Sequence, residues 1–110
     1  MIRIGLYLII FWIMQGFAQV IFKWGSMSES RWWWGFLGGN LFGFSSIWLL
    51  MLIYKNIHPN IALGIASGGA FLASQIALVL VFESKMGLMQ YVGVAAIVIG
   101  MIVFLIGKPL

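Results

Sequence analysis

Four long stretches without a charged residue dominate the pattern of hydrophobic and polar positions along this chain. They cover residues 4–22, 32–54, 59–82 and 86–107. A helix needs roughly 20 apolar residues, at about 1.5 Å of rise each, to cross the hydrocarbon core of a bilayer. The pattern therefore predicts four transmembrane helices. We expect them over residues 3–23, 32–54, 60–82 and 88–106, within one domain that covers residues 1–110.

Short polar segments separate these stretches and are typical of turns. They are residues 25–30, 55–60 and 83–87. Pro59, in the second segment, suits the first turn of a helix. Because the connections are short, we expect sequential helices to pack antiparallel as neighbours. The run Trp32-Trp33-Trp34 begins the second helix, where indoles anchor a helix at the membrane–water boundary.

The composition agrees with an integral membrane protein. Hydrophobic residues make up 64% of the 110-residue chain and charged residues 7%, whereas a soluble domain has about 25% charged residues. We therefore expect an all-α, multi-pass integral membrane protein. The first apolar stretch is longer than the hydrophobic region of a secretory signal peptide, so we expect it to be retained, although Gly16-Phe17-Ala18 resembles a cleavage site.

Several classes of function lack the residues they need. The chain has no cysteine and a single histidine, which argues against a metal site. Its basic residues are spread singly, so we expect no nucleic-acid partner. There is no Ser-His-Asp set, carboxylate pair or phosphate-binding loop, and we expect neither an enzyme nor a cofactor.

The basic residues also leave the orientation in the membrane undecided. With four spans, both termini lie on one side, and each side then carries three Lys or Arg residues. They are Arg3, Lys55 and Lys108 on the side of the termini, and Lys23, Arg31 and Lys85 on the other. Orientation normally follows the more basic side. The tie allows insertion both ways up, an orientation set by a partner or lipid, or an ordinary orientation set by one loop residue.

Small residues recur at spacings that let helix backbones approach each other. The second helix has Gly35, Gly39 and Gly43, and the fourth has Gly93, Ala96 and Gly100. The third helix has an alanine stripe at residues 62, 66, 70, 73 and 77. These stripes predict packing within or between chains. Because four short helices enclose little volume, we expect at least a dimer around any sizeable ligand.

Polar residues inside the spans are the best candidates for function. The first helix has Gln15, Gln19 and Lys23, four residues apart and therefore on one face. The third helix has Ser67, Phe71, Ser74 and Gln75, and the second has Asn40, Ser45 and Ser46. We expect the polar faces of the first and third helices to meet around a substrate-binding cavity. The amides and hydroxyls also suit interhelical hydrogen bonds that only hold helices together, and Lys23 is close enough to a helix end to reach water.

The chain as a whole resembles a known superfamily. Its four spans, Ser67-Gly68, the segment "VFESK" at residues 81–85 and the glycine-spaced fourth helix resemble the drug/metabolite transporters, in their small multidrug resistance branch. The resemblance covers nearly the whole chain. It implies antiparallel dual-topology dimers, a dimer contact at Gly93 and Gly100, and a location in a bacterial-type inner (plasma) membrane.

The first helix departs from that branch. The branch exchanges protons for cationic drugs through a carboxylate eight residues before a lysine, and Gln15 holds this position here; an amide does not titrate. Leu63 and Ala66 lie where drug-stacking aromatics would fall. Instead, "FAQVIFKWG" at residues 17–25 is similar to the small subunits that flip aminoarabinose-linked undecaprenyl phosphate, and Gln19 and Lys23 match their spacing.

The sequence leaves three functions open, the first of them implied by this resemblance. The first is a flippase, or flippase subunit, for an amphipathic cargo such as a polyprenyl-phosphate-linked sugar, acting as a homodimer or as a heterodimer with a related four-helix subunit. The alternative is an exporter of cationic or small metabolite solutes that couples differently, with Glu83 as the candidate coupling residue or simply a loop charge beside Lys85. The third is a membrane partner subunit that transports nothing itself.

Overall fold

The computed structural model describes residues 2–107 and arranges them as helices joined by short turns. Helix α1 covers Ile2–Ser26, α2 covers Glu29–Asn56, α3 covers Pro59–Phe82 and α4 covers Leu88–Ile106. Each of the four is long and apolar enough to cross a membrane. The prediction of an all-helical chain with four helices of spanning length is confirmed.

Helices α1 and α2 extend closer to each other than the polar pattern predicts. The turn expected over residues 25–30 is reduced to Met27 and Ser28. Ser26 Oγ donates to the carbonyl oxygen of Lys23 at 2.7 Å, within the last turn of α1. Ser28 is the extended N-cap of α2, and Glu29 lies in its first turn, where a carboxylate favours the positive end of the helix dipole.

The other two turns lie where the sequence predicts them. Pro59 occupies the start of α3, and His58 Nδ1 accepts a hydrogen bond from the backbone N–H of Asn60 at 3.2 Å. Before α4, the backbone N–H of Gly87 donates to Gln90 Oε1 at 2.8 Å. Each contact provides a partner for backbone groups that a helix end leaves unpaired.

The helices lie in the order α2, α1, α3, α4 across a molecule of 49 × 34 × 22 Å. Sequential neighbours pack as expected for α1 with α2 and for α3 with α4. The expectation is wrong for much of α2 and α3, because α1 lies between them. Those two helices meet around Ile53 and Ala62, next to the turn that joins them.

A small apolar core holds the first three helices together at this end. It contains Leu8 and Phe11 of α1, Ile53 of α2, and Ala62 and Ala66 of α3. Helix α4 contributes no buried residue. The core therefore fixes α1 against both neighbours, and α4 is attached through α3 alone.

Candidate functional site

Glycines bring the backbones of α1 and α2 into contact near the turn that joins them. A Cβ added to Gly35 would lie 2.5 Å from the Cα of Gly25, so a side chain at either position requires a backbone shift. Further along α2, the ring of Phe22 occupies the space beside Gly39. A Cβ at Gly43 would have no other atom within 4 Å. Two of the three predicted packing glycines of α2 therefore serve contacts within the chain.

Gln15 is joined to α2 by two consecutive hydrogen bonds. Gln15 Nε2 donates to Ser46 Oγ at 2.7 Å, and Ser46 Oγ donates to the carbonyl oxygen of Gly43 at 2.7 Å. Ser46 is completely buried, with 0% of its surface exposed. The amide of Gln15 therefore links α1 to α2.

Gln19 and Lys23 continue the same face of α1 towards its end. Both residues are exposed, whereas Gln15 is half-buried. Residues four apart on a helix lie one above another. We call Gln15, Gln19 and Lys23 the polar track; it leads from a buried hydrogen bond to the exposed end of the helix.

Helix α1 contacts α3 through a different face. The indole N–H of Trp12 donates to the carbonyl oxygen of Ala66 at 3.2 Å, and the indole ring lies against Gly69. A Cβ added to Gly16 would lie 3.7 Å from the carbonyl oxygen of Ala73. The alanine stripe predicted to pack a helix therefore receives α1.

Helix α3 contacts α4 through a second pair of glycines. Phe104 lies against Gly64, and Met101 lies against Gly68. These contacts occupy the half of α3 nearest its start. Beyond them the two helices separate enough to leave a cleft of about 250 Å³.

One flank of the helix layer is apolar. A groove of about 400 Å³ between α1 and α3 is lined by residues that include Ile13, Phe17, Ile76 and Leu80. The cleft between α3 and α4 also contains Ile76 and Leu80 in its lining, so both open on the same flank. Gln75 also lines that cleft, four residues after Phe71, and therefore lies on the side of α3 that faces α4.

The polar track lies on the opposite flank. On α1, Ile13 and Phe17 are on the groove side of the contact with α3, and 100° per residue places Gln15 and Gln19 on the other side. The same construction on α3 places three predicted site residues opposite Ile76. They are Ser67, which is exposed, Phe71, which is 38% exposed, and Ser74, which is half-buried. We call the surface formed by these residues and the polar track the polar flank.

The small-residue stripe of α4 extends this flank. Gly93, Ala96 and Gly100 are all exposed, and a Cβ at either glycine would have no other atom within 4 Å. Tyr91 and Val94 line the cleft on the apolar side, which leaves the stripe facing away from it. The stripe therefore makes none of the close contacts that Gly25 and Gly35 make.

The chemistry of the polar flank comes from amides, hydroxyls and one ammonium group. No protein-family model, curated protein or solved structure matches this chain. The flank is therefore interpreted from its own geometry. Its carbonyl, N–H and O–H groups suit a ligand rich in hydroxyls, and Lys23 suits an anion.

Exposed indoles and a basic side chain lie at the end of the helix layer where α1 ends and α2 begins. Trp33 and Trp34 are 68% and 71% exposed, and the guanidinium of Arg31 lies 5.4 Å from the centre of the Trp24 ring. Indoles and basic side chains together are typical of the membrane–water boundary. Lys23, beside Trp24 in the chain, lies at the same end.

Glu83 lies apart from these residues, at the end of α3. It is exposed and has a left-handed backbone, with φ 52° and ψ 33°. Among the described residues it is the one non-glycine with positive φ. Such a conformation is costly for a residue with a Cβ and is common where a helix ends.

Sequence reasoning missed Trp12 as a residue that fixes the site, and it named Ser46 without distinguishing it from Ser45. Ser45 and Ser46 are adjacent in the same apolar stretch, yet Ser45 is exposed and donates to the carbonyl oxygen of Leu41 at 2.6 Å. No pattern in the chain distinguishes the two serines. Only the position of α1 against α2 does so.

Proposed function

We propose that this chain is a subunit of a small transporter of the inner (plasma) membrane, of the drug/metabolite type, which moves an amphipathic cargo such as a polyprenyl-phosphate-linked sugar. The observation that carries this proposal is the collection of Gln15, Gln19, Ser67 and Ser74 on one flank of the helix layer. Amides and hydroxyls bind sugar hydroxyls, Lys23 attracts the phosphate, and the surrounding lipid accepts the polyprenyl tail.

The polar flank is completed by a second chain in this proposal. Gln19 and Ser67 are exposed on helices of spanning length, and an unpaired polar group in hydrocarbon is costly. Gly93 and Gly100, which are open on the same flank, allow a second helix to approach closely. The partner is a second copy of this chain or a related four-helix subunit, and equal numbers of basic residues on the two sides suit an antiparallel pair.

The test is transport and lipid binding by two variants of the polar track. Purified protein in liposomes is assayed for movement of a polyprenyl-phosphate-linked hexose, and native mass spectrometry measures the retained lipid. We expect Gln19→Ala and Lys23→Ala each to reduce both the transport rate and the lipid affinity about tenfold. For the affinity this corresponds to about 1.4 kcal/mol of binding free energy. Lys85→Ala, which changes an exposed lysine in the turn between α3 and α4, is the matched control and should change neither. Unchanged transport in both track variants would refute the proposal.

Glu83 supports a second candidate, an exporter of small cationic solutes. Its left-handed backbone places an exposed carboxylate at the end of α3. This candidate requires that Glu83→Gln abolishes export while Lys23→Ala has a mild effect. A stable complex with another subunit, without lipid or solute binding by this chain, would instead indicate a partner subunit that transports nothing itself.

A further inference from the structure

The buried hydroxyl of Ser46 determines which way the amide of Gln15 is turned. Ser46 Oγ lies 2.7 Å from the carbonyl oxygen of Gly43 and 2.7 Å from the amide of Gln15. A hydroxyl has one hydrogen, and a backbone carbonyl only accepts. The hydrogen of Ser46 therefore goes to Gly43, and its oxygen accepts from the amide. Gln15 must then direct its nitrogen towards α2.

We infer that Ser46 is a positioning residue that directs the carbonyl oxygen of Gln15 to the polar flank, where it selects cargo with a hydrogen-bond donor. Among the described residues Gln15 Oε1 accepts no hydrogen bond, and no buried side-chain N or O lacks a partner. Oε1 is therefore accessible. An accessible carbonyl oxygen binds a hydroxyl or an ammonium group and does not bind a phosphate oxygen.

This orientation assigns the two ends of the polar track to different parts of one head group. The inference rests on the proposed transport of a lipid-linked sugar. Gln15 and Lys23 are eight residues apart in α1, which is about 12 Å along the helix. A sugar hydroxyl or amine binds at Gln15, inside the span, and the phosphate remains with Lys23 near the helix end. The site therefore distinguishes a sugar-bearing polyprenyl phosphate from the bare phosphate.

The binding experiment uses two probes, undecaprenyl phosphate and undecaprenyl phosphate carrying one hexose. Native mass spectrometry of the full chain gives the affinity for each. We expect the wild type to bind the hexose-bearing probe about fivefold more tightly, the gain from one satisfied hydrogen bond. Ser46→Ala should remove that preference and leave the affinity for the bare phosphate unchanged. Ser46→Thr, which keeps the hydroxyl, should restore the preference.

Ser45→Ala is the matched control for the binding experiment. Ser45 is the neighbouring serine and also donates to a carbonyl within α2, but it is exposed and bonds to no other helix. The control should keep the wild-type preference. If Ser46→Ala lowers the affinity for both probes equally, the role of Ser46 is only structural and the inference is wrong.

A second readout tests the orientation without any ligand. The chain has four glutamines, at residues 15, 19, 75 and 90, so their side-chain amides are resolvable by NMR after ¹⁵N labelling. The Gln15 amide, identified by its absence in Gln15→Leu, should exchange slowly in the wild type and in Ser45→Ala and rapidly in Ser46→Ala. Equal exchange in all three would overturn the inference.

The outcomes separate the inference from the proposed function. If the wild type binds neither probe, the transport proposal fails. If it binds both probes with equal affinity, the transport of lipid phosphates stands and the selection by Gln15 fails. A preference lost in Ser46→Ala and kept in Ser46→Thr and Ser45→Ala supports both.

Discussion

Helices α1 and α4 are similar in sequence character and opposite in their surroundings. Both are apolar and of spanning length, and both contain glycines. Helix α1 has five buried residues, Leu8, Phe11, Gly16, Ala18 and Gly25, and packs against two helices. Helix α4 has none and contacts only α3.

The difference shows that a stripe of small residues does not by itself determine which helix packs against it. Gly25 and Gly35 bring two helices of the same chain into backbone contact. A Cβ added to Gly93 or Gly100 would have no other atom within 4 Å. Helix α1 is held by close packing and hydrogen bonds, whereas the stripe of α4 is open.

The largest effect should come from a methyl group at the contact between α1 and α2. Gly35→Ala places a Cβ 2.5 Å from the Cα of Gly25, so the two backbones must separate. We expect a loss of about 2 kcal/mol in the free energy of unfolding, measured by reversible unfolding in mixed micelles. Gly43→Ala, in the same glycine series with no atom within 4 Å, should be neutral. Equal effects would mean that backbone contact does not hold α1.

A bulky residue on α4 should act on association instead. Gly100→Leu fills the open stripe, and we expect the free energy of unfolding of one chain to stay unchanged. If the stripe is the contact between two chains, the dissociation constant of the dimer in liposomes should rise about tenfold. This corresponds to a loss of about 1.4 kcal/mol in the free energy of association. Ile102→Phe, at a position 52% exposed on α4, is the control. Should both variants dimerise like the wild type, the stripe faces lipid.

The indole of Trp12 provides a smaller test of how α1 is held. Trp12→Phe removes the hydrogen bond to the carbonyl oxygen of Ala66. Interhelical hydrogen bonds in membranes contribute about 1 kcal/mol, and we expect that loss in the free energy of unfolding. Trp48→Phe, at a position 71% exposed on α2, should have no such effect. Two equally stable variants would show that the Gly69 contact suffices.

The helices could be predicted from the sequence, and the neighbours of α1 could not. Charge-free stretches give four helices because each helix bonds its own backbone and needs no partner to be recognised. The order α2, α1, α3, α4 depends on shape, since the fit of Trp12 against Gly69 and of Phe22 against Gly39 exists only after the helices meet.

The same limit applies to the candidate site. Spacing by four placed Gln15, Gln19 and Lys23 on one face, but only the structure places Gln75 in the cleft between α3 and α4 and joins Gln15 to Ser46. A helix has several faces, and the sequence does not say which face meets which neighbour. The position of a residue along its helix is therefore predictable from the sequence. The helix that its side chain faces is known only from the packed structure.

The smallest expected effect concerns the turn between α3 and α4, where Glu83 has φ 52°. Glycine adopts this conformation without the cost of about 1 kcal/mol that a Cβ imposes, and loses part of that gain because its unfolded chain is more flexible. We expect Glu83→Gly to raise the free energy of unfolding by about 0.5 kcal/mol, the net of these two effects. Ser84→Gly, at the exposed next position, should not stabilise the protein.

Glu83→Gln completes this comparison because it keeps the Cβ and removes the charge. An exposed side chain at a helix end should leave stability unchanged when it becomes an amide. If both variants transport normally, Glu83 is only a helix end and the exporter alternative loses its coupling group. If both fail, the carboxylate itself is needed. Failure of Glu83→Gly alone would mean that transport depends on how rigidly this turn connects α4 to the helices that α1 holds together.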